Sequence, residues 1–284
     1  MSGNLSFVSI FTIALSTFGS GQKFFLTQED TLVPGDAAGI TRRVSNFSGI
    51  ELYDKKVWPI GFVNSKTAWA YSKPSRTKQA RIGKVDRYTA FLILQETGTG
   101  KDRYVRFDQQ GWLWAGDVRV ATHAPPPKDL APGEKWIDVN TKTQIITAYE
   151  GQTPVYTTLI STGRMGDSRT IKGTFRIWAK VAAIAMDNTD EELEETEMLD
   201  GGLLEERHLF SLHDVPWAQF FFENFALHGV YWHDRFGNRR SHGCVNMAPT
   251  DARWFFHWTE PRLPDGWWAM HKSPNDKGTL VRVR

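Results

Sequence analysis

The sequence predicts a mainly β protein with one short helix, divided into a small N-terminal β domain and a larger C-terminal β domain. Three observations predict it. Short runs rich in β-branched and aromatic residues recur between turn signals such as "TGTGKD". The stretch "THAPPPKDLAPG", residues 122–133, places four prolines in twelve residues, which disfavours helix and central strand alike and gives a semi-rigid spacer. A length of 284 residues, 40% hydrophobic and 23% charged, is enough to bury the cores of two domains.

The elements follow in order. Residues 1–20 read as a leader or an unstructured segment. Leu5–Phe18, "LSFVSIFTIALSTF", is uncharged, apolar and of h-region length, although no Lys or Arg precedes it. Residues 21–121 form the N-terminal β domain, with strands expected at 68–71, 90–95, 104–107 and 112–115. Residues 122–134 are the linker, and residues 135–284 form the C-terminal domain. There, 136–140 and 143–149 read as a hairpin turned by "NTKT". Further strands are expected at 154–163, 173–181 and 225–232. The stretch 249–258, "PTDARWFFHW", reads as the helix: Pro and Thr start it, Asp sits in its first turn, and Pro261 and Pro264 lie beyond its end.

Composition excludes several classes. One cysteine rules out a disulfide scaffold and a multi-cysteine zinc site. The net charge of +2 hides an asymmetry: residues 187–206 carry ten acids and no Lys or Arg, so the remaining chain is strongly basic. A basic body suits an anionic polymer, or serves solubility alone.

The chemistry gathers around that single cysteine. In "RRSHGCVNM", residues 239–247, His242 precedes Cys244 by two residues, on the same side if the chain is extended. His228, in "ALHG", lies on the preceding strand, and the loop 233–240 is long enough to bring it back beside the thiol. A histidine in reach takes a thiol proton and returns it to a leaving amine. Gly243 lets a substrate approach the backbone, whose N–H groups could form an oxyanion hole. Three readings stay open on chemistry alone: a nucleophile, a buried core thiol, and a zinc site from His228, His233, His242 and Cys244, which lacks any standard ligand spacing. If a histidine ionises the thiol, iodoacetamide alkylation should be fast near neutral pH.

"HGV" from His228 and "SHGCVN" from Ser241 together resemble the active-site signature of the YkuD-type L,D-transpeptidases, a His-Gly followed at a dozen or so residues by [S/T]-H-G-C-x-[N/R]. The likeness extends to "VPWAQFF" (215–221), "NMAPTDARWFF" (246–256), "STGRMG" (161–166) and "TIKGTF" (170–175), where a customary proline is Ile171, and so covers about 135–284. It implies a YkuD-like β-sandwich or barrel. It makes Cys244 the nucleophile, His228 its base held by a backbone carbonyl near Gly229, and His242 and Gly243 the shapers of the oxyanion site. Ser241, Asn246, Trp217, Phe221, Tyr231 and Met165 are then substrate-side residues, and Trp232 could wall the same groove. The implied partners are peptidoglycan stem peptides, one as acyl donor and one as amine acceptor, and no nucleic acid. No cofactor, metal or stable membrane span is implied, and the chain is expected to be a monomer in the cell envelope, periplasmic or extracytoplasmic. Cys244 would attack the stem tetrapeptide between residue 3 and the terminal D-Ala, leave a thioester and pass the acyl group to an amine as a 3→3 cross-link. Water as acceptor would make an L,D-carboxypeptidase, and a degenerate domain a non-catalytic wall-binding protein. The acidic block falls where the family carries a lid. In the N-terminal domain, the pattern from about residue 66 to "GWLWAGDVRVA" resembles bacterial SH3-like modules.

Overall fold

The structure, a computed structural model, describes residues 44–52, 58–107, 111–187 and 211–284, together with three short strands nearer the N-terminus, Leu15–Thr17, Lys23–Leu26 and Leu32–Pro34, which pair antiparallel. Apart from Leu15–Thr17 and Asp187, the leader-like stretch and the acidic block lie outside the described residues.

Residues 60–121 form a seven-stranded antiparallel sheet. It runs in the order Val118–Ala121, Ile60–Val63, Ala90–Thr97, Tyr104–Phe107, Gly111–Trp114, Ala68–Tyr71, Arg81–Val85. Its own core is small: Val63, Ala68, Ile93, Val105, Leu113 and Val118. Three of these strands, Ile60–Val63, Arg81–Val85 and Val118–Ala121, were not among those the sequence predicts.

The C-terminal part is two sheets. One runs Gly173–Arg176, Leu280–Val283, Lys135–Asn140, Ile145–Glu150, Thr153–Leu159, Ile50–Glu51. The other runs Val245–Met247, Phe225–Gly229, Ser211–Phe222, Ala179–Asp187, Ala269–His271. Ile137, Val139 and Ile146 of the first meet Phe221, Leu227, Val245 and Met247 of the second in one cluster, closed by Ala252 and Phe255 of the helix. Each such side chain, fully buried, contributes about 1.5–3 kcal/mol.

The sequence reading needs two corrections here. The run 173–181, read as one strand, is two, Gly173–Arg176 and Ala179–Asp187, in different sheets. Residues 44–52, assigned to the N-terminal domain, join the C-terminal one: Ile50–Glu51 add an edge strand to Thr153–Leu159. Backbone pairing to a free edge decides this, and a two-residue strand has no periodicity to show it. The proline-rich linker also does not separate independent bodies, because Phe47, Ile60, Phe62 and Ala121 share a core with Ile145, Leu159, Val230 and Phe236.

The helix α1 spans Pro249–Trp258, with proline in its first turn. Its buried Asp251 knits three segments: Oδ1 accepts from Gly49 N–H (2.8 Å) and Tyr156 O–H (2.6 Å), and Oδ2 accepts from Thr158 O–H (2.5 Å). At the other end the buried Lys180 Nζ donates to the Phe256 and Thr259 carbonyls, a cation on the negative end of the helix. Burial lowers the Lys180 pKa to about 7. Asp251→Ala leaves three donors unpaired, two of them buried, and is expected to cost about 3 kcal/mol or more, read as a lower urea midpoint at unchanged slope.

Candidate active site

The sheet order brings the thiol and the histidine together. Phe225–Gly229 and Val245–Met247 pair in parallel, Leu227 opposite Val245 and His228 opposite Asn246. Side chains alternate along a strand, so Cys244, just before Val245, falls on the side of His228 and Asn246. Cys244 therefore stands diagonal to His228 across this parallel pair.

The loop that carries Cys244 is held by hydroxyls. Ser241 Oγ donates to the Cys244 carbonyl (2.5 Å) and accepts from Gly243 N–H (3.2 Å). Thr170 Oγ1 donates to the Gly243 carbonyl (2.6 Å) and accepts from Gly163 N–H (2.8 Å). Gly243 has φ 140°, and a Cβ there would lie 2.9 Å from the Phe225 ring, so only glycine fits. The Gly243 N–H expected to serve an oxyanion hole is already committed to Ser241. Thr170 was not among the predicted site residues, although its "TIKGTF" turn was recognised. Thr170→Val removes two of these bonds while keeping the shape, and about a tenfold loss of kcat with a small change in melting temperature is expected.

Electrostatics define the resting state. Cys244 is half-buried; its S–H faces the Asn224 carbonyl at 3.6 Å. Burial pushes the thiol up, and the Ala226 N–H opposes it. His228 is buried, and burial pulls its pKa down to about 4, against the Gly229 carbonyl contact. That carbonyl lies 2.9 Å from Nδ1. A carbonyl can only accept, so the neutral ring carries its proton on Nδ1, and Nε2 keeps the lone pair that a base needs. Gly229 is itself tight: a Cβ would lie 3.1 Å from Pro216 and 3.2 Å from Ala252.

A second histidine stands behind the first. Trp232 stacks on His228, ring centroids 6.1 Å apart, and His233 Nε2 lies 3.2 Å from Asn246 Nδ2. Burial, then the Arg240 charge, lowers the His233 pKa to about 4, and its Nδ1 accepts from Arg235 N–H (3.3 Å). The proton therefore sits on Nε2 and needs an acceptor. Asn246 Oδ1 is buried without a partner, and a rotated amide would offer that oxygen to the His233 Nε2–H.

The other predicted residues are placed as follows. His242 is exposed at the loop surface. Met165 is 70% exposed on the loop tied to Ser241 through Gly163. Phe221 is 3% exposed and packs against Phe175 and Phe225, so it supports the core rather than walling a groove. Trp217 lies on α1 against Phe256 and His257, and the buried Tyr231 sits edge-on to Trp232. Runs of aromatics do not reveal which side of a strand meets solvent. Among the described residues, no three His, Cys, Asp or Glu side chains gather to hold a metal, and no helix is long and apolar enough to cross a membrane.

Comparison with known proteins decides the family. The model of the YkuD L,D-transpeptidase catalytic domain matches residues 134–283, more than half of the chain. The chain belongs to the YkuD family. Its YkuD domain contains the whole site just described, while residues 60–121 lie outside the match. A search of curated proteins found no match. Among solved structures, an L,D-transpeptidase from Mycobacterium smegmatis is 16% identical, with 67% of this chain and 81% of that one covered and a TM-score of 0.39. The catalytic domain of the E. faecium L,D-transpeptidase is 20% identical, with 54% and 98% covered and a TM-score of 0.36. Family membership rests on the family model.

Proposed function

We propose that this YkuD protein is a peptidoglycan L,D-transpeptidase in which Cys244 carries the acyl group. The observation that supports this best is the His228 ring, fixed as the Nδ1–H tautomer by the Gly229 carbonyl on the strand beside the thiol. Cys244 Sγ attacks the carbonyl between residue 3 of a stem tetrapeptide and its D-Ala. His228 Nε2 takes the thiol proton and returns it to the departing D-Ala amine, leaving a thioester. An acceptor amine, such as that of diaminopimelate on another stem, then attacks the thioester. Its proton passes to His228, and the thiol is restored with a 3→3 cross-link formed. Because the thiol is raised and the histidine lowered, both partners rest neutral, and the proton moves as the sulfur attacks. Ser241 and Thr170 hold the loop so that the sulfur approaches in one geometry. Such a substrate places the working protein outside the cytoplasm.

Mass spectrometry of disaccharide-tetrapeptides incubated with the protein tests this. The expected products are a dimer and free D-Ala. A trimmed tripeptide without dimer would identify water as the acceptor, and unchanged substrate would sink the assignment.

A further inference from the structure

A cavity of about 630 Å³, open to solvent, lies where the N-terminal sheet meets the YkuD domain, and none of the mechanism uses it. Its walls come from both sides and from the segment before them: Arg87 and Tyr88 from the first, Trp232, His233, Arg235 and Arg240 from the second, and Ser45 from residues 44–52. It adjoins the reacting groups, because Trp232 stacks on His228 and His233 reaches Asn246, two residues beyond the thiol.

The cavity is unbalanced in charge. Three arginines line it against one carboxylate, Asp234. Arg87 is committed: its guanidinium donates to the carbonyls of Asn64, Asp234 and Phe236 and lies over the Tyr88 ring. Asp234 is engaged by the Ser45 hydroxyl at 2.7 Å. Arg235 and Arg240 are different: among the described residues neither guanidinium meets a carboxylate or donates a hydrogen bond, and Arg240 feels the Arg235 charge. Arg164, whose backbone N–H bonds the Ser241 carbonyl, adds to the same field. Two like charges held together beside a buried neutral histidine are costly unless something anionic arrives. The fork of a guanidinium matches a carboxylate better than any other common anion in a peptide.

We propose that Arg235 and Arg240 form a carboxylate-binding subsite, seating a carboxylate of the stem peptide while its acyl carbon reaches Cys244. This rests on the stem-peptide reading above. Two carboxylates of a tetrapeptide stem share the required chemistry, that of the terminal D-Ala and that of diaminopimelate.

The test uses full-length Cys244→Ala protein, so that binding is read without turnover. Calorimetry with the tetrapeptide stem, its D-Ala amide and its diaminopimelate amide is run on that protein alone and with Arg235→Gln or Arg240→Gln added. The expected result is an affinity loss of about tenfold or more in each arginine variant for the tetrapeptide, vanishing with whichever amide lacks the recognised carboxylate. Arg235 is exposed, so its replacement leaves the fold intact even if that of the half-buried Arg240 does not. An equal loss with all three peptides, or no loss with the tetrapeptide, overturns the subsite. Tetrapeptide binding that keeps its arginine dependence, beside wild-type protein that transfers no acyl group, defeats the transpeptidase reading and not the subsite. No tetrapeptide binding at all defeats both.

Discussion

Replacing Cys244 by alanine is expected to lower acyl transfer by about 10⁴-fold or more while the protein stays folded and still binds its peptide. Alanine offers no atom to form the thioester, and no second cysteine exists to substitute for it. The structural cost is small. The side chain is half-buried, its S–H makes only a 3.6 Å approach to the Asn224 carbonyl among the described residues, and the loop is held by Ser241 and Thr170. Muropeptide turnover and thermal melting, measured side by side, separate the two effects. Turnover within tenfold of wild type, with melting unchanged, would remove the thiol from the reaction.

His228→Ala is expected to lower kcat by about 10²–10⁴-fold, the usual span of a positioned general base. The pH profile distinguishes this from a packing defect. With its pKa drawn down to about 4, His228 is a neutral base through the whole neutral range. The wild-type rate should therefore hold from neutral down to about pH 5 and fall as the pH passes through about 4; residual activity in the variant should lack that limb. The same shifts reverse the alkylation behaviour that the sequence suggested. A thiol raised by burial reacts slowly with iodoacetamide at neutral pH and faster in the alkaline range. Rapid neutral alkylation would show an ionised pair instead. Stability carries a matching sign. His228 and His233 are both held below their unfolded values, so the unfolded chain binds more protons. Stability is lost as the pH falls from about 6.5 towards 4.

Local signals were the legible ones. The α1 boundaries, 249–258, could be read because proline, an early acid and the later prolines act within a turn or two of the chain. The hairpin 136–149 and the strand at 104–107 were legible for the same reason. The strand Ser211–Phe222 was not: Pro216 interrupts it, and Asp214 and Trp217 take positive φ values of 52° and 60°, so it shows no clean alternation. Leu280–Val283 was also missed. It pairs in parallel with Lys135–Asn140, where Arg282 and Arg284 both bind Asp138, a pairing across more than 140 residues.

The candidate site divides in the same way. Cys244, His228 and Ser241 could be named as candidates from sequence, because the family-like signature that carries them lies within seventeen residues of chain. Thr170 on the Gly243 carbonyl, Phe225 against the Gly243 backbone, and the tautomers of His228 and His233 came only from the tertiary structure. So did the arginine-lined cavity, which needs Ser45, Arg87 and Arg240 at one place. The sequence by itself determined the mainly β architecture and the candidate reacting groups, since both follow from short-range residue patterns. The tertiary structure alone decided protonation, orientation and the partner groups, since these depend on burial and on contacts between segments that sequence distance does not encode.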